Sequence, residues 1–258
     1  SGIAVKFEAL AEGENTIKLL YGNKVTWAKI FVIPSIKDLV RNRVDFIINK
    51  QQMKDKDDPR YGAYMIYDNE TGQIYKNEDV NASVDRDEGA ERLGMGVLVA
   101  RYLQKYHNKE YLKSLLEYYD FTRNKLQTPD YKVFSDVDHT SRNRCYNYGW
   151  IIEFYTELYK VTKNKQHILD AYYTLLCYFE EFGYNKIIFR IPVLEIIDAL
   201  KENGLINEEK ILLIEFEKYS DSLLSNSKDY TKILTEVNFA IGGISAIVMF
   251  LEEMYLMT

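Results

Sequence analysis

The feature that most constrains the fold is an almost unbroken series of amphipathic segments from Glu88 to the end of the chain. Apolar residues recur in these segments every three or four positions, the spacing that places them on one face of a helix. Several of the connections between these segments are short, as in antiparallel helical hairpins. Together with one earlier helix, the predicted helices cover residues 35–51, 88–106, 109–125, 149–162, 165–182, 191–203, 207–224 and 239–256.

The first 33 residues have a different pattern, rich in β-branched and aromatic residues. Thr16–Leu20 and Val25–Ile33 read as strands on either side of a turn at Tyr21–Lys24. Two or three strands do not make a stable domain alone. Pro34 ends the second strand, and Ser35 is a suitable cap for the first helix.

These patterns predict a mainly α fold with a small N-terminal β element. Residues 1–33 form the β element, and residues 34–258 form the helical domain. Paired helices without a repeating sequence are typical of an α/α toroid, in which inner helices line a central cleft. The eight predicted helices are fewer than a complete six-hairpin toroid requires, so we expect a partial toroid. Within the long polar connection at 53–84, the turn chemistry of Asp68–Gly72 predicts a β-hairpin.

Composition excludes several classes of function. The formal net charge of −6 argues against nucleic-acid and anionic-membrane partners. The longest apolar run, Phe239–Phe250, is too short to span a membrane. Cys145 and Cys177 lack metal-site spacing and the chain has three histidines, so we predict free thiols, no metal site and no cofactor. The oligomeric state has no sequence signature.

Two dense polar clusters are the candidate sources of chemistry. The first, residues 85–92, contains Asp87 and Glu91, which share a face if both are helical. The second begins at Phe134 and contains Asp136 and Asp138. Glycoside hydrolysis commonly needs two carboxylates, one acting as an acid and one ionised, so Asp87 and Asp138 are the predicted catalytic pair. The competing interpretation is that acidic residues in a first helical turn cap free amides.

Other polar and aromatic residues near these clusters could orient a sugar. Arginines can bind a substrate carboxylate, or pair instead with the aspartates of the second cluster. Aromatic rings can stack on a sugar, or pack in the core. The acidic and amide side chains before the last helix could equally cap that helix. The predicted substrate-binding residues are Arg86, Glu91, Arg144, Tyr146, Tyr148, Trp150, Glu236 and Asn238.

The order of several motifs resembles a bacterial group of six-hairpin-glycosidase-like proteins. Trp27–Val32 leads into Ile36–Ile47 and then Lys50–Gln52, Arg144–Tyr148 precedes a helix, and Thr235–Phe239 lies near the end. The resemblance covers about residues 25–258. It implies a β-sandwich ahead of an α/α toroid, a carbohydrate partner, and a secreted, periplasmic or cell-surface location.

The functional prediction is therefore a glycoside hydrolase acting on a polysaccharide or oligosaccharide through paired carboxylates. Two alternatives remain open. A polysaccharide lyase on the same fold would use a tyrosine or histidine base, with an arginine neutralising a uronate. A non-catalytic glycan-binding or interaction module would need neither.

Overall fold

The computed structural model describes residues 6, 11–75, 89–139, 144–184, 191–226 and 252. This part of the chain is mainly helical, with a small antiparallel two-stranded sheet near the N-terminus, as predicted. The chain forms two compact units, residues 1–45 and 46–258. The predicted domain boundary after residue 33 stays a prediction.

The first unit contains a regular β-hairpin. Strands β1 (Gly13–Tyr21) and β2 (Lys24–Val32) pair antiparallel, and the pairing of Tyr21 with Lys24 leaves a two-residue turn. Gly22 has a φ of 59° in this turn, a conformation that glycine adopts without steric cost. Helix α1 (Ile36–Phe46) follows, and the Ser35 hydroxyl accepts a hydrogen bond from the Asp38 amide at 3.1 Å. Ser35 therefore caps the helix as its sequence context predicts.

The second unit begins with a π-helical turn, Ile47–Gln51, that continues α1 to the predicted end. A short hairpin follows where Asp68–Gly72 predicts one. The remaining elements are β3 (Tyr67–Asp68), β4 (Gln73–Ile74), a 3-10 turn (Ala90–Arg92), α2 (Leu93–Lys105), α3 (Lys109–Lys125), α4 (Cys145–Thr162), α5 (Lys165–Phe182), α6 (Val193–Glu202) and α7 (Ile206–Asn226).

The predicted helix boundaries hold closely for α3 and α5, whose ends carry clear signals. The side-chain oxygens of Asn108 and Asn164 cap the two N-termini, and Lys163 takes a left-handed conformation between α4 and α5. Helix α4 starts at residue 145, four residues before its predicted start. The predicted helix at 239–256 lies outside the described residues, apart from residue 252.

Helix α4 is the central helix of the described part of this unit. It packs against both α2 and α5, and its buried residues occur on nearly every side. A helix enclosed on most sides belongs to the core, and one stripe of α4, with Tyr146, Trp150, Glu153 and Lys160, stays partly exposed. Sequential helices α2 and α3, α4 and α5, and α6 and α7 are in contact, as helical hairpins should be. Closure of these hairpins into a partial toroid remains a prediction. The largest fully buried rings belong to Tyr64, Tyr118, Tyr148, Tyr155, Tyr172, Tyr178, Tyr219, Phe154 and Phe216.

Two glycines in α2 give a matched test of this packing. A Cβ on Gly96 would lie 2.7 Å from Tyr118 Cε1 and 2.8 Å from Phe154 Cε2, whereas a Cβ on Gly94 would meet nothing within 4 Å. We expect Gly96→Ala to destabilise the protein by about 1–3 kcal/mol through overpacking. Gly94→Ala should be neutral or stabilise it by up to about 1 kcal/mol, since alanine is the better helix former. Urea denaturation of both variants measures the difference, and equal stabilities would contradict the close packing.

Candidate functional site

The candidate site lies where the 3-10 turn, the segment 134–139 and the start of α4 meet. The buried residue Ser135 joins all three elements. Its carbonyl oxygen accepts a hydrogen bond from the Ala90 amide at 3.2 Å, and its hydroxyl accepts one from Asn147 Nδ2 at 2.8 Å. The described parts of the two polar clusters are therefore neighbours in space.

Two arginines lie around one carboxylate at this junction. Arg144 Nη1 is 3.3 Å from Glu91 Oε1, and Arg92 Nη2 is 3.7 Å from Glu91 Oε2. Both guanidinium groups remain partly exposed to solvent. We call Arg92 and Arg144 the guanidinium pair. Their planar forks can bind a carboxylate through parallel hydrogen bonds.

One hydrogen-bond donor of Arg92 has no acceptor among the described residues. Its Nε is buried and makes no hydrogen bond within the part of the chain that the structure describes. A buried donor without a partner costs free energy, so such groups in folded proteins usually point to a bound water or a ligand. Arg144, in contrast, also lies over the ring of Tyr146, 5.4 Å from its centroid. The ring restricts where the Arg144 guanidinium can point.

His139 is the candidate proton acceptor near this junction. Its Nε2 lies 2.7 Å from the carbonyl oxygen of Lys125, and its ring stacks on Phe134 with centroids 4.0 Å apart. A carbonyl oxygen can only accept, so Nε2 carries the hydrogen and the neutral ring presents Nδ1 as a base. The backbone of His139 has a φ of 55°, in the left-handed region. Non-glycine residues in that region concentrate at functional sites.

The early start of α4 changes the role of one predicted substrate-binding residue. Tyr148 is fully buried, and its hydroxyl accepts a hydrogen bond from the Val133 amide at 3.2 Å. Its ring therefore offers no face to a sugar, and Tyr148 is a core residue. Tyr146 and Trp150 are partly exposed and keep a face for a ligand. Asp138 is exposed, whereas Asp136 is buried.

Four of the predicted site residues lie outside the described residues: Arg86, Asp87, Glu236 and Asn238. The pairing of Asp87 with Asp138 therefore stays a prediction.

Two candidates emerge only in three dimensions. Neither Arg92 nor His139 is among the site residues predicted from the sequence. Two sequence signals bear on His139: its place beside two aspartates, and the tyrosine or histidine base that the lyase alternative requires.

Two other kinds of feature are absent from the described ranges. No group of three or more histidine, cysteine or acidic side chains in residues 11–75, 89–139, 144–184 and 191–226 is placed to hold a metal ion. Nor does any helix within these ranges combine the length and apolarity needed to cross a membrane.

The comparisons with known proteins relate this chain to a solved structure. No protein-family model matches the chain, and no curated protein matches it. A solved structure of a polysaccharide lyase is similar, with 44% sequence identity and a TM-score of 0.87. The match covers 96% of this chain and 36% of that one, so this chain spans about a third of the length of the lyase structure.

Proposed function

We propose that this protein forms part of a polysaccharide lyase, which cleaves a uronate-containing chain by β-elimination. The observation that carries this proposal is the 44% identity to a polysaccharide lyase across 96% of the chain. The carbohydrate-active fold and the arginine-rich junction favour the same chemistry. Elimination needs a cationic partner for the uronate carboxylate and a nearby base, and both types of group occur at the junction.

The guanidinium pair is the proposed binding site for the uronate carboxylate. Hydrogen bonds from the partly exposed guanidinium groups of Arg92 and Arg144 would withdraw charge from the carboxylate and so acidify the proton on C5 of the sugar. In the same proposal, Tyr146 and Trp150 contact the sugar rings. Glu91 orients the two guanidinium groups through its ion pairs with both.

His139 is the proposed base. Its Nδ1 takes the C5 proton, the electron pair forms the double bond between C4 and C5, and the bond from C4 to the glycosidic oxygen breaks. The leaving oxygen takes a proton from solvent. The hydrogen bond from Nε2 to Lys125 fixes the tautomer that this step needs.

Hydrolysis by Asp87 and Asp138 is the second candidate, because Asp138 is exposed on the same segment as His139. Its carboxylates would act on the glycosidic bond directly and would leave a saturated product. The double variant Asp87→Asn, Asp138→Asn should then lose activity and keep its fold.

The nature of the product separates these functions. We expect incubation with polygalacturonate, alginate, hyaluronan or chondroitin to generate both new reducing ends and an ultraviolet-absorbing unsaturated uronate. Reducing ends without absorbance would identify a hydrolase and overturn the lyase proposal. Retarded migration in affinity electrophoresis without either product would identify a binding module.

A further inference from the structure

A groove lies beside the candidate site, between the segment around residue 60 and the C-terminal half of α3. Its volume of about 430 Å³ falls within the roughly 300–1,000 Å³ typical of small-molecule sites. The lining groups that can bind a polar ligand include Lys56, Tyr61, Glu117, Asp120, Asn124 and Lys125.

One short segment connects this groove to the guanidinium pair. Lys125 lines the groove, and its carbonyl oxygen accepts the hydrogen bond from His139. Ser135, four residues earlier, contacts the elements that carry Arg92 and Arg144. Four residues span at most about 14 Å, so only a short stretch of backbone separates His139, which contacts Lys125, from Ser135 at the junction.

The α3 wall of the groove favours hydrogen-bond donors over further anions. Glu117 and Asp120 are three positions apart and share a face of the helix. Burial, followed by the neighbouring charge of Glu117, raises the pKa of the Asp120 carboxyl. Tyr61 already donates its hydroxyl proton to Glu117 at 3.2 Å. Another carboxylate or a sulfate would be repelled here, whereas sugar hydroxyls could donate to both side chains.

Nearby basic side chains offset part of the negative charge of the groove, but the side formed by α3 remains acidic. Lys56 and Lys125 belong to the lining, and Arg60 pairs with Asp58 at 2.7 Å. Asp57 and Asp58 line the wall opposite α3, so carboxylate acceptors occur on both sides of the groove and outnumber its two lysines.

We propose that the groove binds a neutral sugar residue of the substrate whose uronate the guanidinium pair holds. This inference rests on the proposed lyase function and narrows its substrate class. The substrate is then a heteropolysaccharide that contains both uronates and neutral sugars, rather than a polymer of uronates alone.

A variant that binds the ligand without cleaving it allows sugar binding in the groove to be measured separately from the reaction. We expect His139→Gln protein to bind a hyaluronan hexasaccharide, which alternates uronate and neutral sugars, about tenfold or more tightly than an oligogalacturonate of equal length. Adding Asp120→Asn should reduce that preference to about threefold or less, since the second carboxylate is lost. Asp198→Asn, on the exposed surface of α6, is the matched control and should leave the preference unchanged. Isothermal titration calorimetry of the three variants with each oligosaccharide measures all six affinities.

The outcomes distinguish this inference from the proposed function. Equal affinity for the two oligosaccharides, or a preference that Asp120→Asn leaves intact, overturns the neutral-sugar site even if the wild-type protein forms unsaturated product. An Asp120-dependent preference without any unsaturated product from wild-type protein supports the site and overturns the lyase function. Failure of both oligosaccharides to bind overturns both.

Discussion

Replacing His139 with glutamine is expected to reduce the rate of unsaturated-product formation by about 100- to 10,000-fold, the usual contribution of a positioned general base. Glutamine keeps a side-chain amide that can donate to the Lys125 carbonyl oxygen, so the local structure should survive. What it lacks is the basic Nδ1. The loss should therefore appear in kcat, with KM changed little, because the ring stacks on Phe134 and is not the proposed uronate anchor.

The control for this variant is His107→Gln, which changes another exposed histidine at the end of α2. Initial rates of ultraviolet absorbance increase should match wild type in the control. Thermal melting should give the same Tm for both variants and wild type. A His139→Gln protein that retains more than about a tenth of wild-type kcat would eliminate His139 as the base, because general-base catalysis of this kind contributes more than that.

Replacing Asp170 with alanine is expected to cost about 3–5 kcal/mol of unfolding free energy, the largest stability effect among the variants considered. Asp170 is 1% exposed and accepts hydrogen bonds from the hydroxyls of Tyr119 at 2.6 Å and Tyr131 at 2.9 Å. Gln166 Nε2 donates to it at 2.9 Å, and Arg123 Nε lies 3.8 Å away. Truncation leaves these groups partly buried without their acceptor.

Asp198→Ala is the matched control, because Asp198 is a helical aspartate with an exposed side chain. Its effect should stay within about 0.5 kcal/mol. Asp170→Asn keeps the shape but removes the charge, so its cost should fall between the two, at about 1–3 kcal/mol. Guanidinium denaturation at neutral pH measures all three. Similar midpoints for Asp170→Ala and Asp198→Ala would mean that the network around Asp170 contributes nothing to stability.

The positions of most helices could be predicted from the sequence, because the local signals agree with the packed structure. Asn108 and Asn164 cap helices where their sequence context suggests, and the apolar periodicity of α3 and α5 gives their full extent. The start of α4 was harder. The polar residues Arg144 and Asn147 resemble a loop sequence, yet Asn147 is buried in the first turn through its bond to Ser135. The hydrogen bond to Ser135, twelve positions away, satisfies the Asn147 amide and so allows this polar residue to be buried at the start of α4.

The sequence predicted some residues of the candidate site but not the contacts between them. Glu91 and Arg144 were both predicted as substrate-binding residues, but their contact across more than fifty positions is a product of folding. Tyr148 and Trp150 look equivalent in the sequence, and burial alone separates the core ring from the accessible one. The hydrogen bond that fixes the tautomer of His139 comes from the end of α3, which no local pattern indicates.

By itself, the sequence determined the mainly helical class, the β-hairpin near its start and the places where charged and aromatic groups are dense, because periodicity, caps and turn residues act over a few positions. Only the tertiary structure decided which of those groups are neighbours, which are buried, and which donors lack a partner. Those properties depend on contacts between distant segments, and Ser135 illustrates this by holding Ala90 and Asn147 on either side of it.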